Sequence, residues 1–208
     1  MGLRLFSEAP EGRLRHGERG SENDPVDPGR CRLAQHVVLV NEAGEAVGSM
    51  DVQAAHDGEG VRHLAFMVLI RNPRGQVLLC RRSVHKRLWP GYWENSCSSH
   101  PMPGESQRLA AERRLQEELG FTTALQSVGV FEYHALDGAA GAEHEVCMVL
   151  TGLHEGDVRP NSAEVEECVW TDLGQLLATS TTDHWAPWLR PGLELLALEL
   201  CENGQARG

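Results

Sequence analysis

No apolar run in this 208-residue chain reaches the roughly 18 residues needed to cross a bilayer, and its first residues lack the apolar core and cleavage site of a signal peptide. These absences predict a cytosolic protein with no membrane span. Positive charge is also scarce: 19 Lys and Arg stand against 30 Asp and Glu, a formal net charge of −11. Nothing would offset repulsion from a phosphate backbone, which argues against nucleic acid as a partner. A small polyanionic substrate would need metal and a few local cations. CxxC pairs are missing too. The six cysteines, Cys31, Cys80, Cys97, Cys147, Cys168 and Cys201, are scattered through a chain too long to need disulfide staples, so they read as reduced and mostly buried thiols. Internal repeats are absent. What is present is 41% hydrophobic residues, enough to bury the core of one domain.

Residues 1–34 are rich in Gly, Pro, Arg and Glu and poor in aliphatics, a composition that cannot offset its own ordering entropy. They are expected to be a disordered arm before a single domain over 35–208. That domain opens with QHVVLVNEAGEAVGSM, two short runs split by the turn-like Asn41-Glu42-Ala43-Gly44. A second strand pair follows around Asn72-Pro73-Arg74-Gly75, and further strands are expected near 127–135, 143–151 and 165–170. Glu105 to Leu119 has the spacing of a helix, with Leu109, Ala110, Leu115 and Leu119 apolar and Gly120 at its stop. A last helix is expected after Pro191. Together these predict an α+β fold, a sandwich built on a mixed β-sheet with flanking helices.

Four segments carry groups suited to metal or diphosphate. His56 and His63 lie seven residues apart in AAHDGEGVRHLAF. Imidazoles are good ligands for transition metals, although a lone histidine pair is more often surface or core decoration. His100 precedes Pro101 in a loop leading to the central helix. In AEHEV, Glu143 and Glu145 share one face of a strand, where they repel each other unless a cation lies between them. A solvent-facing strand is the plain alternative. Three imidazoles and two carboxylates suit an octahedral-type site for Mn²⁺, Mg²⁺ or Zn²⁺, with the histidines leaning away from Mg²⁺.

The fourth segment, SSHPMPGESQRLAAERRLQEELGF, resembles a degenerate Nudix box. Ser99 stands at the first Gly position, Glu105 and Arg113 fit, Arg114 replaces the next Glu, and Glu117, Glu118 and Gly120 fit. Family hydrolases use the replaced Glu for metal, so hydrolysis is disfavoured. The rest, from AAH and HLAF through RRSVHKRLWPGYWENS, SHP, RRxxxELG and ExE to a late PW, resembles type I isopentenyl-diphosphate isomerases of the Nudix superfamily across residues 35–190. That resemblance implies that His56, His63, His100, Glu143 and Glu145 hold a first metal and that Glu118 reaches a Mg²⁺ riding on the diphosphate. It implies Arg82, Lys86 and Arg114 as the diphosphate grip, Trp188 as shelter for a carbocation and Tyr133 beside the reacting carbon. Solvated charge and core packing are the ordinary readings of these residue types.

The pattern breaks at one acid/base position. The resemblance assigns one proton-transfer role to Glu145 and the other to a Cys, where this chain has Ser98. A hydroxyl is a far weaker acid than a thiol, whose ordinary pKa is about 8.5. Cys97 lies next door, but neighbours on extended backbone point to opposite faces, so it substitutes only if the loop slips by one residue. Val52 stands where some relatives carry Lys. The expected activity is isomerase-like: protonation of an alkene of a prenyl diphosphate through Glu145. A protonation-initiated cyclase on a longer prenyl diphosphate, a Nudix diphosphate hydrolase and a non-catalytic prenyl-diphosphate binder are the alternatives.

Overall fold

A computed structural model describes residues 4–6, 35–179 and 184–205. The strands are β1 (Arg4–Phe6), β2 (His36–Val40), β3 (Ala46–Asp51), β4 (His63–Arg71), β5 (Gln76–Arg82), β6 (Trp93–Glu94), β7 (Cys97–Ser99), β8 (Gln126–Leu136), β9 (Ala142–Leu153) and β10 (Val165–Asp172). The helices are α1 (Val52–Ala55), α2 (Gln107–Leu119), α3 (Leu173–Ala178) and α4 (Leu189–Gln205). One path through the sheet runs β1-β8-β9-β4-β2-β3, while β5 joins β4 to β10 and β6, and β7 pairs with β4. The β4–β9 pair is parallel and the other pairings are antiparallel, so the sheet is mixed as expected.

Helices cover both faces of β4, and this is why HLAFMVLI reads as one apolar run rather than an alternating one. Ala65, Met67 and Leu69 pack with Leu189, Leu193 and Leu196 of α4. Phe66, Val68 and Ile70 pack with Ala110, Ala111, Leu115 and Leu119 of α2. Asn72 makes the turn between β4 and β5, its Oδ1 accepting from the Arg74 and Gln76 amides at 3.0 and 3.1 Å.

Several expectations need correction. Helix α2 starts at Gln107, capped by Ser106, whose hydroxyl accepts from the Leu109 amide at 3.3 Å. Glu105 lies outside it and pairs with Arg113 at 2.8 Å. Leu109 is 56% exposed, while Arg114 and Glu118 lie on the buried face, because that face turns toward charged partners rather than only toward the core. Gly120 does end the helix, in the left-handed region at φ 75°. Helix α4 begins before Pro191, which sits in its first turn, where a missing N–H costs no hydrogen bond. Within the stretch expected to be disordered, residues 4–6 form β1, adding to the otherwise unpaired edge of β8. The rest of that stretch, with Cys31, lies outside the described residues. No described helix is long and apolar enough to cross a membrane.

Candidate active site

Three neighbouring strands set a row of side chains on the α4 face of the sheet. His63 on β4 is in register with Glu145 on β9, and Glu145 is in register with Tyr133 on β8. Directly opposed residues share a face, so the three meet by strand pairing alone. His56 arrives differently, at the C-terminal cap of α1, whose start is fixed by Asp51 accepting from Gln53 and Ala54 at 2.9 and 3.2 Å. The β8–β9 hairpin holds it there: the Ala142 amide donates to the His56 carbonyl at 3.0 Å. Gly141, at φ 135°, has no room for a side chain, because a Cβ would strike that same carbonyl. His100 follows β7.

The four donor atoms of His56, His63, His100 and Glu145 lie within 4.8 Å of one another. His56 Nε2 and His63 Nε2 are 3.3 Å apart, and His100 Nε2 lies 2.9 Å from Glu145 Oε1. His63 Nδ1 lies 2.6 Å from the Val61 carbonyl, which can only accept, so Nδ1 carries the proton and Nε2 presents a lone pair to the cluster. Burial, and then the neighbouring His100 and His63, lower the His56 pKa to about 3; burial also lowers that of His100. Burial opposes ionisation of Glu145, yet His100, hydrogen-bonded to it, and the neighbouring His63 outweigh burial and hold the carboxyl far below its usual range. Converging imidazoles and one carboxylate are the donor set of a divalent metal, and the residues present fit one.

Glu143, expected as a fifth ligand, stands outside this four-donor group. It makes a very short hydrogen bond with the Tyr133 hydroxyl, which also lies 2.7 Å from Glu145 Oε2. One phenolic proton cannot serve both carboxylates. Burial, and then Glu145, push the Glu143 pKa well up. A protonated Glu143 donating to Tyr133, with Tyr133 donating to Glu145, satisfies every atom.

Ser98 lies on the cavity side of β7, opposite Met67, and Cys97 lies opposite Val68 on the α2 side. Cys97 is 1% exposed among the α2 core residues, and burial raises its pKa well above the ordinary thiol value. The backbone has not slipped to bring that thiol into the site. A residue the sequence did not single out organises this corner. Asn95 Oδ1 accepts from Ser98 Oγ at 2.8 Å and from Trp188 Nε1 at 3.0 Å, while its Nδ2 donates to the carbonyls of Val68 and Cys97. Its position inside the WENS run next to Ser98 was the available signal.

Arg82 lines the cavity, but its guanidinium is engaged internally. It donates to both Glu94 oxygens at 3.0 Å and to the Leu88 carbonyl at 2.8 and 3.1 Å, and it lies 5.2 Å from the Trp188 ring centroid. Lys86 and Arg114 meet at Glu164, the second residue the sequence missed. No motif marked it, since NSAEVEE reads as an acidic loop. Glu118 is 2% exposed, takes Arg114 at 2.5 Å and stands apart from the histidine cluster. The cavity bounded by Lys86, Ser98, Arg114, Tyr133, Glu145 and Trp188 encloses about 780 Å³, its open mouth included.

Comparison with known proteins assigns the class. Residues 61–191 match the NUDIX domain family model. A Deinococcus radiodurans crystal structure superposes with a TM-score of 0.62 over 77% of this chain and 98% of its own, at 22% identity, which is a likeness of fold. The chain is thus a Nudix-domain protein. Curated relatives narrow this further. The isopentenyl-diphosphate Delta-isomerase of Nocardia farcinica is 43% identical over 76% of this chain and 93% of its own length. That of Halorhodospira halophila is 42% identical over 75% and 91%. The chain belongs to the isopentenyl-diphosphate Delta-isomerase family.

Proposed function

We propose that the protein is a metal-assisted acid catalyst that isomerises isopentenyl diphosphate to dimethylallyl diphosphate through Glu145, with a slow second proton transfer. The observation that carries this reading is Glu145 itself. One of its oxygens faces His100 and His63 and the other takes the Tyr133 hydroxyl, at a cavity that Lys86 and Arg114 also line. A divalent ion among His56, His63, His100 and Glu145 would supply fixed positive charge that tunes the proton affinity of the carboxyl. The imidazole-rich set suits Mn²⁺ or Zn²⁺ better than Mg²⁺, whereas a Mg²⁺ carried by the diphosphate suits Glu118.

Lys86 and Arg114 hold the diphosphate, which must share them with Glu164. Arg82 acts mainly by anchoring Trp188. Protonation of the alkene carbon yields a tertiary cation, for which the neighbouring rings of Trp188 and Tyr133, both lining the cavity, would provide electron-rich surface. Removing a proton from the neighbouring carbon then gives the allylic isomer. Ser98 lines the cavity where an acid/base thiol is expected, but its hydroxyl proton is directed to Asn95, and an alcohol is a poor proton carrier.

That weakness supports a second reading, in which the cation is quenched by cyclisation of a longer prenyl chain. Incubation with prenyl diphosphates of five to twenty carbons in deuterated water, with Mn²⁺ and Mg²⁺, tests both readings. Deuterium in five-carbon products supports the isomerase, and cyclic products support the second reading. Phosphate release without exchange, or binding without exchange, overturns both.

A further inference from the structure

Cys80 and Cys168 face each other in register across β5 and β10, with their sulfurs 2.7 Å apart. Directly opposed residues of an antiparallel pair have Cα atoms about 4.5–5.5 Å apart, within the roughly 4.4–6.8 Å span of disulfides. The two thiols therefore need no backbone movement to bond. They differ in access: Cys80 is 1% exposed, and burial raises its pKa well above the ordinary value, whereas Cys168 is half-buried on β10.

Their place gives the bond a consequence. Among the described strands β10 pairs only with β5, so it is an edge of the sheet, and its register is irregular between Val165 and Glu167. Glu164, which meets Lys86 and Arg114, immediately precedes it. Cys80 lies two residues before Arg82 and opposite Glu94. A covalent link here ties the edge strand to the strand that carries Arg82.

We propose that Cys80 and Cys168 form a reversible disulfide under oxidation by a peroxide and that this bond clamps β10 onto the sheet. The Cys168 thiolate attacks hydrogen peroxide, the O–O bond breaks, and Cys168 becomes a sulfenic acid with release of one water. The Cys80 sulfur then attacks the Cys168 sulfur, the S–O bond breaks, and a second water leaves with the Cys80 proton. Two thiols lose two electrons and one peroxide is reduced to two waters. Proximity compensates for the poor ionisation of Cys80.

The test treats the reduced, folded full chain with hydrogen peroxide, blocks free thiols with N-ethylmaleimide and digests without reductant. The expected result is a Cys80–Cys168 linked peptide, a loss of 2 Da that dithiothreitol reverses, and a melting temperature raised by about 5 °C or more. Cys168→Ser should lack the link and the shift. Cys80→Ala should leave Cys168 as a sulfenic acid that dimedone traps. If either variant misfolds, the linked peptide from the unaltered chain still decides the matter. The proposal is overturned if Cys80 stays free while only Cys168 or the exposed Cys201 is oxidised, or if the linked protein melts no higher than the reduced one.

Discussion

Ser98 donates its hydroxyl proton to Asn95 Oδ1 at 2.8 Å, on the same oxygen that receives the Trp188 indole N–H. Ser98, which under the proposed mechanism stands where an acid/base thiol is expected, is therefore tied to the same amide that fixes the Trp188 ring. Ser98→Cys restores a group that ionises near neutrality while keeping the site's size. It should raise five-carbon isomerisation at least tenfold, read as product formed per minute. An unchanged rate would place the slow step elsewhere.

Glu145→Gln removes both the carboxyl proposed to relay the proton and one donor of the metal cluster while keeping the shape of the side chain. Deuterium incorporation into substrate should fall by about 10³-fold, in the range of a lost general acid with its activating charge. Bound metal, measured by elemental analysis after dialysis, should fall with it. Retained activity would remove Glu145 from the mechanism.

Much of this site was legible because its groups come from strands and from motifs close in sequence. The alternation that puts Glu143 and Glu145 on one face, and Cys97 and Ser98 on opposite faces, follows from the strand period of two. That His63 would stand beside Glu145 follows from the parallel β4–β9 pairing, which periodicity does not specify. Glu164 was illegible for the same reason. Its meaning lies in Lys86 and Arg114, cations from two distant segments, and an acidic loop carries no sign of them. Helix α2 misled in a different way. Its spacing put Leu109 among the apolar positions, yet Leu109 is exposed while Arg114 and Glu118 pair with each other on the buried side.

Trp188→Phe keeps most of the ring area and removes the N–H that Asn95 accepts. Stability should fall by about 1 kcal/mol, the ordinary cost of one hydrogen bond, whereas Trp188→Ala should cost about 3–5 kcal/mol, as for a large core deletion. Urea midpoints of the two variants check the difference. Under the proposed mechanism, in which the ring would face the charged intermediate rather than the diphosphate, activity of the Phe variant should drop in kcat more than in KM.

Glu164 should make the folded protein acid-sensitive in a defined window. Burial alone would raise its pKa, but Lys86 and Arg114 outweigh burial and lower it from 4.5 to about 2. A carboxyl whose folded pKa is depressed stabilises the fold fully above its unfolded value, and that stabilisation is lost as pH falls toward the folded one. The window is therefore about pH 4.5 down to about 2. With its side chain about one-quarter exposed, the contribution is discounted for solvent to on the order of 2 kcal/mol. Other carboxylates titrate in the same range, so the informative quantity is the difference between the wild type and Glu164→Gln, measured from urea midpoints at several pH values. The wild type should be the more stable at pH 6, and the gap should close steadily below pH 4.5. A gap that stays constant with pH would mean that Glu164 is not held ionised by Lys86 and Arg114.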